Sequence, residues 1–235
     1  MPSTTKDEFE AVYAVPLHCE GCVDSVKKVL TSLEGISKLD IDLKSQKVTV
    51  FGSTAPSKII DSIQTIGKDA IIRGAGTSNS AAVCILESFD NNDKLMPVKG
   101  LARIVSINPD EILVDLTMNG VEKGKYYPSF RESGNIWKGA LSTGKSIYDF
   151  GSVEAIEKEG NLFKCQEFLK VPMNLNNLIG RSLVISNEKD KVSSESLCGV
   201  IARSAGVWEN DKYVCSCTGK TIWQERTDAV QKGIK

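Results

Sequence analysis

From Gly74 to Ser80 the chain reads Gly-Ala-Gly-Thr-Ser-Asn-Ser, and the spacing of apolar residues differs on its two sides. A small, polar run without apolar periodicity is a linker signature. The 235 residues therefore divide into separate folding units.

Before the linker, strand and helix patterns alternate. Phe9 to Val15 is an apolar run stopped by Pro16, and Cys22, Val26, Val29, Leu30 and Leu33 then recur at helical spacing, with Gly35 as a terminator. Leu39, Ile41 and Leu43 and, across a polar turn, Val48 and Val50 predict a hairpin with one buried face. Pro56 to Ile66 predicts a second helix with Ile59, Ile60, Ile63 and Ile66 on one face, and Asp69 to Ile72 a last strand. The order βαββαβ predicts an α+β, ferredoxin-like domain over 1–74, with 75–80 as linker.

After the linker the texture changes. Val83 to Leu86, Gly100 to Ser106, Ile112 to Met118 and Leu183 to Ser186 read as short strands among turn-rich segments, and no long helix is expected between 81 and 200. This predicts an all-β sandwich or barrel over 81–206. Residues 207–235, with Trp208, Cys215, Cys217, Trp223 and a charged end, are too few to bury a core and read as an irregular tail, flexible or docked.

A formal net charge of -1 with mixed signs offers no basic face for a phosphate backbone, so nucleic acid is not an expected partner. No stretch approaches the ~18 apolar residues of a membrane span. The polar, acidic start, Met1 to Glu8, lacks the features of a secretory signal or transit peptide, and a cytoplasmic protein is expected.

Seven cysteines accompany one histidine, and four of them form two tight pairs, Cys19/Cys22 and Cys215/Cys217. In a reducing compartment such pairs point to metal binding or redox chemistry. Cys19 and Cys22 fall between a strand and a helix, where backbone N–H groups and the helix dipole favour thiolate. Two soft sulfurs without imidazole suit Cu(I), whereas structural zinc wants four ligands. The motif alone leaves a thioredoxin-like redox pair open. Cys215-Ser216-Cys217 sets two thiols one residue apart, which makes an internal disulfide strained and exchangeable and also lets both thiolates hold one Cu(I).

With its ferredoxin-like context, Pro16-Leu17-His18-Cys19-Glu20-Gly21-Cys22 resembles the Met-x-Cys-x-x-Cys loop of the heavy-metal-associated family, with Leu17 where Met is usual. The resemblance implies that Leu17 packs beneath the loop; His18 reads as an exposed loop residue. Ala82 to Leu86, Val98 to Leu101, Leu178 to Ile185 and Leu197 to Ala202 resemble strands of Cu/Zn superoxide dismutases, which implies a Greek-key barrel. Where those enzymes carry metal-binding histidines, this chain has Tyr126 to Arg131 and Ser142 to Tyr148, so no dismutase activity is expected. Cys198 matches half of their disulfide, and Lys138 to Leu141 lacks the partner.

With Ile201 to Asn210 ahead of the Cys-x-Cys, the whole chain resembles the fungal copper chaperones for superoxide dismutase. That implies a metallochaperone in which Cys19 and Cys22 acquire Cu(I), and Cys215 and Cys217 insert it and help form the target's disulfide through a mixed disulfide. It implies docking on immature Cu/Zn superoxide dismutase as a heterodimer, through Gly199, Val200, Ile201 and Ala202, with a homodimer left open. Arg181 and Arg203 read equally as polar interface contacts or structural groups. The location implied is the cytoplasm, with the mitochondrial intermembrane space as a second site. The alternative is a cytosolic thiol-disulfide oxidoreductase acting through the Cys-x-Cys tail.

Overall fold

The structure, a computed structural model, describes residues 7–90, 93–210, 212–214, 216 and 218–231. The N-terminal unit runs β1 (Phe9–Ala14), α1 (Glu20–Thr31), β2 (Ile36–Asp42), β3 (Lys47–Gly52), α2 (Pro56–Thr65) and β4 (Ile71–Ala75). Its four strands pair antiparallel in the order β2-β3-β1-β4. The helices cover one face of this sheet because their apolar residues recur every three or four positions: Val26 and Leu30 from α1, and Ile59, Ile60 and Ile63 from α2, are buried against Ala11, Tyr13, Val48 and Val50.

The second unit is all-β: β5 (Ala81–Glu87), β6 (Val98–Asn108), β7 (Glu111–Val121), β8 (Gly124–Arg131), β9 (Trp137–Ala140), β10 (Ser146–Asp149), β11 (Val153–Ala155), β12 (Glu157–Glu159), β13 (Leu162–Val171), β14 (Ser182–Ser186), β15 (Leu197–Val200) and β16 (Ala202–Arg203). Pairing is antiparallel along the path β10-β8-β14-β15-β5-β6-β7-β13-β12, with β11 on β8 and β16 on β5. Leu86, Ile104, Leu116, Met118, Phe130 and Leu183 are among the side chains that fill its core. Cys165, on a stretch that looks polar in sequence, is buried there too, because alternate residues of β13 face inward.

Two boundaries differ from the sequence reading. The last N-terminal strand continues past Ile72 to Ala75, since Gly74 and Ala75 keep pairing with Val12 and Ala11. The tail is not wholly irregular: α3 spans Ile222–Gln231, a helix with no buried residue and so without the apolar face that would announce it. Among the described residues no helix is long and apolar enough to cross a membrane.

The two units share a core. Ala81, Val105 and Leu113 of the β unit pack in the same cluster as Phe9, Ala11 and Ile59, and Phe9 stands 6.5 Å from Phe168 between ring centroids. Helix α2 starts at Pro56 without a side-chain cap of its own, although the first N–H groups of any helix need acceptors. Asp115 of β7 supplies one: Ser57 N–H donates to Oδ2 at 2.8 Å and the Ser57 hydroxyl to Oδ1. Arg103 Nη1 lies 3.6 Å from the same carboxylate, and both residues are buried. Burial pushes the Asp115 carboxyl up, while Arg103 and the Ser57 donors pull against it.

Removing the carboxylate leaves Arg103 buried without its counter-charge and uncaps α2. Asp115→Ala is therefore expected to destabilise the protein by about 3–5 kcal/mol, and Asp115→Asn, which retains an acceptor, by less. Urea unfolding of the full chain checks this; an Asp115→Ala midpoint equal to that of the unaltered chain would show that neither charge nor cap matters here, and equal midpoints for the two variants that the retained acceptor does not.

Candidate metal centre

Strand β1 ends at Ala14, and the chain crosses Val15, Pro16 and Leu17 before α1 begins at Glu20. Pro16 cannot extend the ladder, and Leu17, 2% exposed, turns into the core and fixes the loop from below. The loop is also held from the side: Val15 N–H donates to Gln46 O at 3.0 Å, and Gln46 Nε2 to Leu17 O at 2.9 Å. His18 and Cys19 are exposed, and Cys19 occupies the N-cap position with extended backbone (φ -159°, ψ 170°). Cys22 sits in the first turn, its N–H bonded to Cys19 O at 2.9 Å.

The two sulfurs are 3.8 Å apart. That is far beyond the ~2.05 Å of a disulfide and within the span of two metal–sulfur bonds of about 2.3 Å each. Lys68 Nζ stands 3.1 Å from Cys22 Sγ and donates to Pro16 O at 3.3 Å. Backbone hydrogen bonding from His18, then Lys68, draws the Cys22 thiol down from 9.0 to about 7. Cys84, Cys165 and Cys198 behave oppositely, pushed up to about 12 by burial. Thiolate is the ligand and nucleophile, and Cys22 is drawn toward neutral pH. Among the described residues no three His, Cys, Asp or Glu side chains gather into a metal cluster.

Cys215 and Cys217 lie outside the described residues. Their flanks are described: Val214 bridges Thr221 antiparallel, and Ile222 N–H donates to Tyr213 O at 3.0 Å.

In the β unit, Gly199 lies so close to β5 that a Cβ would fall 1.8 Å from Ile85 O. The registers Cys198↔Glu87 and Ala202↔Val83 set Val200 opposite Ile85, and these two side chains are 36% and 42% exposed. Ala202 is exposed as well, whereas Ile201 is fully buried, with its N–H bonded to Arg181 O at 2.8 Å. Trp137, 86% exposed, belongs to β9, which lies beside β15. Arg181 holds backbone, its Nε and Nη1 each 2.6 Å from Asn177 O and Glu132 O, and Arg203 reaches Asn79 O and Asn176 Oδ1. Aromatic rings pack along β8 and β10: Phe130 lies 6.4 Å from Tyr148 and 4.8 Å from Phe150.

Residues 12–69 match the family model of the heavy-metal-associated domain. Over 97% of its length the chain is 56% identical to the superoxide dismutase 1 copper chaperone of Debaryomyces hansenii, covering 98% of that protein. The chain belongs to the copper chaperones for superoxide dismutase. It is 47% identical to the superoxide dismutase 1 copper chaperone of Saccharomyces cerevisiae over 99% of this chain and 100% of that one. With the copper chaperone for superoxide dismutase of Sus scrofa it shares 30% identity, over 96% of this chain and 93% of that one. Membership makes this a protein of a chaperone family.

Lys68 and Gln46 carry no signal in the sequence, being a lone lysine and glutamine 46 residues and 29 residues from the groups they hold. Lys68→Met should raise the pH midpoint for alkylation of Cys22 from about 7 toward 9.0 and slow its reaction with iodoacetamide at neutral pH. Site-resolved mass spectrometry checks this, and an unmoved midpoint would leave the backbone donors as the sole cause.

Proposed function

We propose that Cys19 and Cys22 carry copper as Cu(I), that the β unit docks on immature Cu/Zn superoxide dismutase, and that Cys215 and Cys217 insert the metal and promote the target's disulfide. The observation that carries the reading is the pair of sulfurs 3.8 Å apart at a helix N-terminus, Cys19 exposed and Cys22 half-buried, with a lysine as its charged neighbour. Two soft ligands hold Cu(I) in low coordination. Open sites for incoming ligands then let it pass on by exchange of one sulfur for another. Lys68 offsets the negative charge that two thiolates and one Cu(I) leave behind.

The N-terminal unit, with sheet order β2-β3-β1-β4, fits a ferredoxin-like domain, and the β unit a Greek-key barrel of dismutase type. Val83, Ile85, Val200 and Ala202 share the outward face of adjoining strands, with Trp137 close by on β9. Exposed apolar patches mark interaction sites, and we read this one as the face for the dismutase subunit in a heterodimer. The same face serves a homodimer when the target is absent. Gly199 lets the strands approach, and Ile201 supports the face from within.

Joining Cys215 and Cys217 removes two electrons and two protons, which a two-electron oxidant such as dioxygen takes up once the copper has left; the exchange that follows needs no further oxidant. One target thiolate attacks their disulfide, forming a mixed disulfide and freeing a tail thiolate. The target's second thiolate then displaces the other, so the target leaves oxidised and the tail reduced. The free thiols of the described residues suit a reducing compartment. We place the chain in the cytoplasm, with the mitochondrial intermembrane space as a second site.

The direct test mixes the Cu(I)-loaded chain with reduced, copper-free Cu/Zn superoxide dismutase and follows dismutase activity and target thiols. Cys215→Ser with Cys217→Ser is expected to abolish activation and target oxidation while complex formation, measured by sedimentation, persists. Full activation by that variant would refute the tail's role. Conversely, Val200→Glu should weaken the complex at least tenfold, about 1.4 kcal/mol, with copper loading of Cys19 and Cys22 unchanged. Unaltered association would move the docking face elsewhere.

A further inference from the structure

Where the two units meet they leave a cavity of about 170 Å³. Its walls come from both: Phe9 and Ile72 from the N-terminal sheet, and Val105, Leu113 and Phe168 from the β unit. Protein interiors are packed as densely as organic crystals, with few voids larger than a water molecule. An apolar cavity of about 150 Å³, lined by leucine, isoleucine and phenylalanine, stays dry and takes up benzene. By size and lining, the junction cavity therefore suits a single aromatic ring.

Two arginines and one carboxylate border this apolar space. Asp115 has both oxygens engaged by Ser57. Arg73 turns to the backbone of the segment after β16, its Nε and Nη2 3.1 and 2.7 Å from Asn210 O. Arg103 differs from both. Its side chain is 9% exposed, and its buried Nη1, 3.6 Å from Asp115 Oδ2, makes no hydrogen bond among the described residues. A buried donor without an acceptor is costly, and the planar fork of an arginine matches a carboxylate. With two positive groups against one negative at its border, the cavity favours an anionic head over a neutral one.

The segment after β16 closes one side as a strap. Ala75 N–H donates to Ala205 O at 3.2 Å and Val207 N–H to Gly76 O at 2.9 Å. The approach needs glycine at position 74, where a Cβ would fall 2.1 Å from Gly206 O. Trp208, with left-handed backbone (φ 69°), receives Lys47 Nζ 5.7 Å from its ring centroid. Ser204 and Asn210 of the strap reach the cavity; the first is half-buried and the second exposed, so the rim toward solvent runs along the strap.

We propose that the junction cavity is a binding site for a small aromatic monocarboxylate, with its ring among the apolar walls and its carboxylate on Arg103. The ligand touches both units and lies under the strap. Its binding and the docking of the strap therefore favour each other, since coupling between two binding events is reciprocal.

The test titrates benzoate into the full chain and follows methyl signals by NMR. Saturable one-site binding should shift the methyls of Ile72, Val105 and Leu113, and benzyl alcohol, which has the ring without the charge, should bind at least tenfold more weakly. Arg103→Lys, which retains the charge beside Asp115 without the fork, should raise the benzoate Kd at least tenfold. Hydrogen exchange at the Val207 amide should slow severalfold at saturation. No saturation in the millimolar range, shifts confined to methyls outside the cavity, or equal affinity for the two probes overturns the site. A folded Arg103→Lys chain with unaltered affinity overturns the role of Arg103; should that variant fail to fold, the two probes on the unaltered chain decide alone. Unchanged exchange at Val207 overturns the coupling to the strap.

Discussion

The contact between Asp115 and the first turn of α2 is the constraint on which the arrangement rests. A helix that opens on proline without its own cap leaves N–H groups that must find acceptors, and here the acceptor comes from the other domain. The carboxylate tolerates burial because it meets the positive end of the helix and Arg103 together. Through α2 this fixes Lys68, which follows the helix, and so the side of the cysteine loop that Lys68 holds. The shared apolar cluster around Ala81, Val105 and Leu113 makes the junction a piece of core, with the linker stitched down by Gly76 N–H on Glu10 O at 2.7 Å.

Much of this was legible in the sequence, and the physical reason is range. The helices over 20–31 and 56–65 announce themselves because Val26 and Leu30, and Ile59, Ile60 and Ile63, repeat at the spacing that burial demands. The paired cysteines stand out because their chemistry depends on neighbours two or three residues away. What stayed hidden depends on residues far apart: Asp115 caps Ser57 across 58 positions, and Arg73 meets Asn210 across 137. Composition misled at Gly74 and Ala75, which read as linker yet pair in β4 because glycine there admits the Gly206 carbonyl. Helix α3 escaped notice for want of an apolar face, and Cys165 because its strand neighbours are polar.

The cysteines divide by environment. Burial disfavours the thiolate of Cys84, Cys165 and Cys198, whereas a helix N-terminus, backbone donors and a lysine favour it at Cys22. One chain can thus retain inert sulfur in its core and present soft, exchangeable sulfur at its surface.

Trp208 adds a mechanical consequence to the tail's path. A bulky side chain at φ 69° is held against the steric preference of its own backbone, a conformation that costs on the order of 1–2 kcal/mol. Lys47 beneath the ring and the hydrogen bonds on either side keep it there. The docked strap is consequently spring-loaded at one residue: once those neighbours let go, Trp208 relaxes into ordinary backbone geometry, and that relaxation opposes re-docking. The ring is 59% exposed even while the segment is docked, so it already offers an aromatic face to another surface.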